Sequence, residues 1–425
     1  MSSSLKSAAP DCGCAEQRGL SRRTFLRASL ATLAGIAGGG LLDLGGAQVA
    51  LAEAGYTGDV LVVVSLRGGF DGLSAVVPAG DPGYAAARPG IAVPTSKLIA
   101  AGGMFGLHPA LKPLEPLWRA GTFGAVHAVG QKDPTRSHFA AMEELERAAP
   151  GSSLRTGWID RMVGASGATS TFAATSLGST TTTTAFAGPQ PELSLRNLPG
   201  FSLAGAGNET ARWKAALAEL HTSGPEAVVA AARRSLSALD TAAALPGASP
   251  LPEGVSYPEG SFGEALRDVA RLIRGGVGAR VAAVDLGGWD MHEGVGGVDG
   301  GWMARQLDQL ARGLAAFAAD LGEAFSRTTV VTLSEFGRRV QENGSGGLDH
   351  GNGNAVLLLG GGVAGGRVHG RWPGLSAGSL VEGDLAGTTD YRTLLAEILE
   401  ARCGVPARTV FPGLAPARLG VVRAR

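Results

Sequence analysis

The sequence has little cysteine, no excess of either charge and, past residue 52, no long apolar run. Of its three cysteines, Cys12 and Cys14 lie ahead of a pair of arginines in what reads as a removable leader, which leaves Cys403 alone. A single thiol forms no intrachain disulfide, and a zinc–cysteine cluster is excluded. Cys403 sits in an apolar helical stretch ending at Gly404, which suits a buried structural thiol. Lys and Arg total 37, and so do Asp and Glu. Balanced charge gives no nucleic-acid footprint and no polybasic membrane patch. No later segment offers the roughly 20 apolar residues that a bilayer-spanning helix needs, so no stable membrane anchor is expected. No internal repeat emerges. The 67 glycines cluster in loops after apolar runs and form no array.

What is present begins with Ser21-Arg22-Arg23-Thr24-Phe25-Leu26-Arg27. Its two arginines precede a weakly apolar stretch, rich in Ala and Gly, from about Ala28 to Ala52. That is the layout of a twin-arginine export signal. The small-x-small triplet Ala50-Leu51-Ala52 suits a signal peptidase and sets a mature start at Glu53. The alternative is a retained anchor. The chain is expected to cross the twin-arginine translocase already folded and to work in the periplasm or outside the cell. Folding before export raises the expectation of a bound metal or cofactor.

The mature length suits one large domain or two ordinary ones. Residues 59–66, 123–129, 279–286, 328–333 and 355–359 are continuous apolar runs, which read as strands buried on both faces. Helical periodicity lies between them. Leu307, Leu310, Leu314, Phe317 and Leu321 share one helix face. Leu394, Leu395, Ile398 and Leu399 mark another helix, with Asp390 as its cap. Further helices are expected over 110–118 and 137–147. Strands alternating with helices predict an α/β domain with a largely parallel central sheet. Residues from about 165 to 260 are less regular and read as an insertion or cap, with helices near 209–221 and 225–242.

In parallel sheets ligands sit at the carboxyl ends of strands, and polar clusters fall there. Asp71, in Arg67-Gly68-Gly69-Phe70-Asp71-Gly72-Leu73, is either a ligand to a cation or a turn aspartate. Asp290 and His292 are either an O,N metal pair or a hydrogen-bonded pair. Glu335 follows a buried strand and needs a cation or an arginine, which Arg338 or Arg339 could supply. Asp349 and His350 form a second carboxylate–imidazole pair, and His369 is a weaker candidate. Ser137, in Asp133-Pro134-Thr135-Arg136-Ser137-His138-Phe139, is either a helix N-cap or a hydroxyl activated by a metal. Three histidines, His138, His292 and His350, stand beside an Asp or Ser in such loops.

The Arg67–Leu73 run, Ser137-His138-Phe139, Thr156-Gly157-Trp158, Gly288-Trp289-Asp290-Met291-His292, Ser334-Glu335-Phe336-Gly337-Arg338 and Asp349-His350-Gly351 occur in an order that resembles the domain of unknown function 1501 family, over nearly the whole mature chain. That family in turn resembles the alkaline phosphatase and sulfatase superfamily. The resemblance implies a three-layer α/β/α fold around one or two divalent ions, usually zinc. Asp71, Ser137, and Asp290 with His292 would fill the superfamily's first three places, Glu335 the strand-end carboxylate, and His350 or His369 the late histidine. Phe336 departs from the pattern, because it stands where a histidine ligand belongs. The implied activity is hydrolysis of an anionic phosphate or sulfate ester. Metal would be held by Asp71, Asp290, His292, Glu335, Asp349 and His350, with Ser137 as nucleophile and Arg136 or Arg338 stabilising the equatorial oxygens. The other reading is a non-catalytic protein that binds an envelope polymer or a partner on the same fold.

Overall fold

A computed structural model describes residues 55–425 apart from Thr181, Ala204, Ser249 and Pro416. The twin arginines and the cleavage triplet lie outside the described residues. The apolar runs become strands. β1 (Val60–Ser65) and β2 (Phe123–Gly130) come first, followed by the shorter β3 (Ala174–Leu177) and β4 (Leu193–Leu195). Then come β5 (Val281–Asp285), β6 (Thr328–Leu333), β7 (Asn354–Gly360), β8 (Val368–His369) and β9 (Thr389–Asp390). Together they make a nine-stranded sheet in the order β8-β2-β7-β6-β1-β5-β3-β4, with β9 also on β2. Within this sheet every pairing is parallel except those of β7, which runs against both β2 and β6.

The helices of eight or more residues are α1 (His138–Arg147), α2 (Trp158–Ser166), α3 (Thr210–Leu220), α4 (Glu226–Ala248), α5 (Ser261–Arg274), α6 (Trp302–Leu321) and α7 (Tyr391–Ile398). The alternation of β1 divides them into two layers. Val60, Val62 and Val64 join a core with Leu266 and Val269 of α5 and with the Leu307, Leu310, Leu314, Phe317 and Leu321 face of α6. Leu61 and Val63 join the opposite core with Trp158 and Met162 of α2 and Leu394, Leu395 and Ile398 of α7. The sheet is thus covered on both faces, as three layers require. Asp390 caps α7 by accepting from the Arg392 backbone N–H at 2.9 Å, as expected. Burial pushes the Cys403 thiol up to about 12, which keeps it protonated and unreactive.

The 165–260 stretch, read from the sequence as an insertion or cap, contributes strands to the main sheet. β3 and β4 extend the main sheet beside β5. They are short and carry Thr or Ser among few apolar residues, so no continuous apolar run marks them. Ala238, Ala242 and Leu245 of α4 also enter the first core. Among the described residues no helix is long and apolar enough to cross a membrane.

Two buried histidines make the fold sensitive to acid. On β2, His127 Nδ1 accepts from the Ala128 N–H at 2.9 Å, so Nε2 carries the hydrogen and donates to the Val76 carbonyl at 3.0 Å. His108 Nδ1 accepts from the Ala110 N–H at 3.1 Å. Burial lowers both rings to about 4 from the ordinary 6.5. The unfolded chain therefore takes up these protons first as pH falls. The stability they contribute is complete above about 6.5 and declines from there to about 4, by on the order of 3 kcal/mol per ring. The melting temperature should drop across that window, and less steeply in a His127→Gln variant. A flat profile would contradict the burial of neutral rings.

Candidate metal centre

Loops from neighbouring strands meet at the carboxyl edge of the sheet. β2 leads to the start of α1 with His138, β5 to Asp290 and His292, and β6 to Glu335. His350 precedes β7. Because β7 runs backwards, the loop before it arrives at the same edge as the loops that follow the others. An isolated bridge between Arg338 and His350 fixes the two loops together.

His138, Asp290 and His350 bring ligand atoms within 4.8 Å of one another. Their detail is more informative than their proximity. His138 Nδ1 lies 2.8 Å from Glu335 Oε1, His292 Nδ1 lies 3.1 Å from Asp349 Oδ1, and His350 Nδ1 lies 2.8 Å from the Arg136 carbonyl. All these partners are acceptors, so each Nδ1 carries a hydrogen. Each neutral ring then offers an Nε2 lone pair. Those Nε2 atoms gather on Asp290: His292 at 3.0 Å and His350 at 3.2 Å from Oδ1, His138 at 3.5 Å from Oδ2. The Nε2 atoms of His292 and His350 are only 2.9 Å apart. Lone pairs facing one another and a carboxylate repel unless a proton or a metal cation lies among them. His138 Nε2 is also shielded from water with no hydrogen-bond partner, a cost of about 1–3 kcal/mol that an ion would relieve.

The donor set fits a divalent metal. Around zinc, with bonds of ~2.0–2.2 Å, tetrahedral ligands stand roughly 3.3–3.6 Å apart, close to the spacings here. Histidine ligands held through Nδ1 by a carboxylate or carbonyl are the usual outer arrangement. Asp290 and His292 have about half of their side chains exposed, so the centre opens to solvent. Burial raises the Asp290 carboxyl, but the hydrogen bond and charge of the Arg338 guanidinium outweigh it and hold the group at about 2. It is an anion at any working pH.

Of the residues singled out from the sequence, Asp290, His292 and His350 come together. Glu335 and Asp349 stand behind the rings. Glu335 is buried, and besides His138 it accepts from the Gly68 N–H at 2.9 Å and the Ser334 hydroxyl at 3.1 Å, which fills the carboxylate. Asn343 Nδ2 holds Asp349 at 3.0 Å and the His292 carbonyl at 2.8 Å. Asp71 is elsewhere. Both its oxygens are taken by the buried guanidinium of Arg88, at 2.6 and 2.9 Å, so it has no face left for a metal. His369 bonds the Ala364 carbonyl at 2.7 Å, outside the cluster.

Arg338 is buried, and its donors are committed to Asp290 Oδ1 at 2.6 Å and to the carbonyls of Gly68, Gly69, Trp289 and Leu348. It orients Asp290 and has nothing left for a substrate, which corrects its reading as a transition-state arginine. Arg136 keeps a half-exposed guanidinium paired with Asp384 at 2.7 Å. Ser137 is the exposed N-cap of α1, reaching the Ala140 N–H at 3.5 Å. Phe336, which cannot ligate, packs against two rings that can, and those two also touch each other, with centroids 4.3 Å apart. Its ring centroid lies 4.8 Å from that of His138 and 4.7 Å from that of His350.

Sequence reading named His138 in a motif but did not place it among the ligands. The available signal was its position: directly after an N-cap serine, at a strand's carboxyl end, where a helix start aims the side chain at the strand loops.

A search of curated proteins finds no match to the chain. Among solved structures, the C-terminal periplasmic domain of EcEptC from Escherichia coli, in complex with Zn, aligns at 9% identity over 73% of this chain and 76% of that one. The TM-score of 0.34 is too low to support an argument. The family model described as a protein of unknown function (DUF1501) matches residues 122–413, and the chain belongs to that family.

Proposed function

We propose that this chain is an exported hydrolase of phosphate or sulfate esters that works from one divalent metal ion, zinc by its donor set. The observation that carries this reading is the convergence of imidazole Nε2 lone pairs on the Asp290 carboxylate, each ring locked by an acceptor at Nδ1. His138, Asp290, His292 and His350 would hold the ion, while Glu335, Asp349 and the Arg136 carbonyl fix the rings. When bound, such an ion polarises an ester oxygen and lowers the pKa of a hydroxyl or water beside it. The half-exposed Arg136 guanidinium meets the anionic group, and Ser137, one residue before a ligand, supplies the hydroxyl. The alkaline phosphatase resemblance is retained in a reduced form, with one ion in place of two, because Asp71, Glu335 and Asp349 are spent on other partners. The twin-arginine motif supports export, with the translocase as a transient partner.

The test uses protein recovered from the periplasm. About one equivalent of zinc or a similar metal is expected, with hydrolysis of aryl phosphates or sulfates that stops on chelation. A Ser137→Ala variant with an unchanged rate would remove the serine from the chemistry and leave a bound water. A second reading is a metal-held binding protein for an envelope polymer. The saturation of Arg338 and the use of Ser137 as a helix cap favour it. It predicts bound metal with no ester hydrolysis.

A further inference from the structure

Beside His350 the chain builds a cationic feature of which the preceding proposal uses only Arg136. Asp384 is buried, and its two oxygens gather two guanidinium groups. Arg136 reaches Oδ2 through Nη2 at 2.7 Å and Nε at 3.2 Å. Arg339 reaches Oδ1 through Nε at 3.3 Å, and its Nη2 donates to the Glu382 carbonyl at 2.8 Å. One arginine would neutralise a buried carboxylate, so the trio carries a surplus positive charge. Two further anions face the pair, Glu382 at 3.5 Å from Arg136 with 78% of its side chain exposed and Asp349 near Arg339 with 53% exposed, and water screens both.

Both arginines are tied to the loop that carries His350. The Arg136 carbonyl receives His350 Nδ1, and the Arg339 N–H donates to the Asp349 carbonyl at 3.0 Å. Their side chains are 42% and 38% exposed. In each, Nε and Nη2 are occupied while Nη1 makes no hydrogen bond among the described residues and is open to solvent. A fork fixed on one edge and open on another is pre-set for an oxyanion.

We propose that Arg136 and Arg339, gathered by Asp384, form a binding subsite for an oxyanion with several acceptor oxygens, such as a phosphate or sulfate group. It rests on the ester reading only for the physiological ligand: an anionic group of the substrate, held next to the metal. The charge surplus and the open Nη1 edges do not depend on any metal.

The experiment is a calorimetric titration of the full-length exported protein with inorganic phosphate, then with inorganic sulfate, as purified and again after chelation. Saturable binding that survives chelation is expected. Arg339→Gln and Arg136→Gln should each weaken it about tenfold or more, since a hydrogen bond to a charged group is lost. A measurement on the unaltered protein guards against misfolded variants. Phosphate should protect Arg136 and Arg339 from a dicarbonyl reagent, read by mass spectrometry. Absence of saturable binding of either anion after chelation, wild-type affinity in both variants, or no protection would overturn the subsite. Absence of ester hydrolysis in the metal-loaded wild-type protein would overturn the preceding proposal and leave this one standing.

Discussion

His350→Ala is expected to strip the purified protein of its bound metal while leaving the fold intact. Weakening an outer partner of a metal ligand typically costs 10–100-fold in affinity, so removing the ligand itself should cost at least about 100-fold. The ring is only partly covered, with 21% of its side chain exposed, so its loss opens no cavity in either core. His138→Ala should behave alike. Glu335→Gln should show the milder effect, because it disturbs only the carboxylate that holds His138 Nδ1 at 2.8 Å. Metal content by elemental analysis, read beside the melting temperature of chelated protein, separates these cases. Full metal occupancy in both His350→Ala and His138→Ala would refute the centre.

Asp71→Ala should do the reverse: a large loss of stability with metal content unchanged. Arg88 has no exposed surface, and besides Asp71 it donates to the carbonyls of Val340 and Arg339 and to the Ser74 hydroxyl. It therefore cross-links the loop after β1 to the loop after β6. Removing Asp71 leaves that guanidinium buried and uncompensated, a cost of about 3–5 kcal/mol. Both partners favour the charged pair, which pulls the Asp71 carboxyl below the usual carboxylate range despite the opposing effect of burial. Chemical denaturation measures the loss. If Asp71→Ala instead released metal and unfolded at the wild-type denaturant concentration, the aspartate would be a ligand after all.

These expectations show where sequence was sufficient. Strands rich in Val and Leu needed no context, because burial on both faces leaves a mainly apolar run with at most threonine among it; β1 and β6 came out almost residue for residue. β3 and β4 lacked such a run and were hidden inside an apparent insertion. The candidate site was legible as a set of loops but not as a set of roles. Asp71, Glu335 and Asp349 have the same chemistry as Asp290 on paper. What separates them is which cation or imidazole each one meets, and Arg88 lies 17 residues from Asp71 without any motif linking them. Phe336 looked like a lost ligand. In three dimensions it is a wall against which the touching rings of His138 and His350 both rest, a role only packing can reveal.

The openness of the centre also bears on how the protein would acquire its ion. The ligands come from residues as far apart as His138 and His350, so an unfolded chain has no means of collecting them, and loading must follow folding. Yet Asp290 and His292 are half exposed at the sheet edge, and an ion resting on them can leave through side-chain motion alone. Folding before export would then not seal in the metal. The ion found in the working protein would be the one most available at its destination, and swapping it there would require no unfolding.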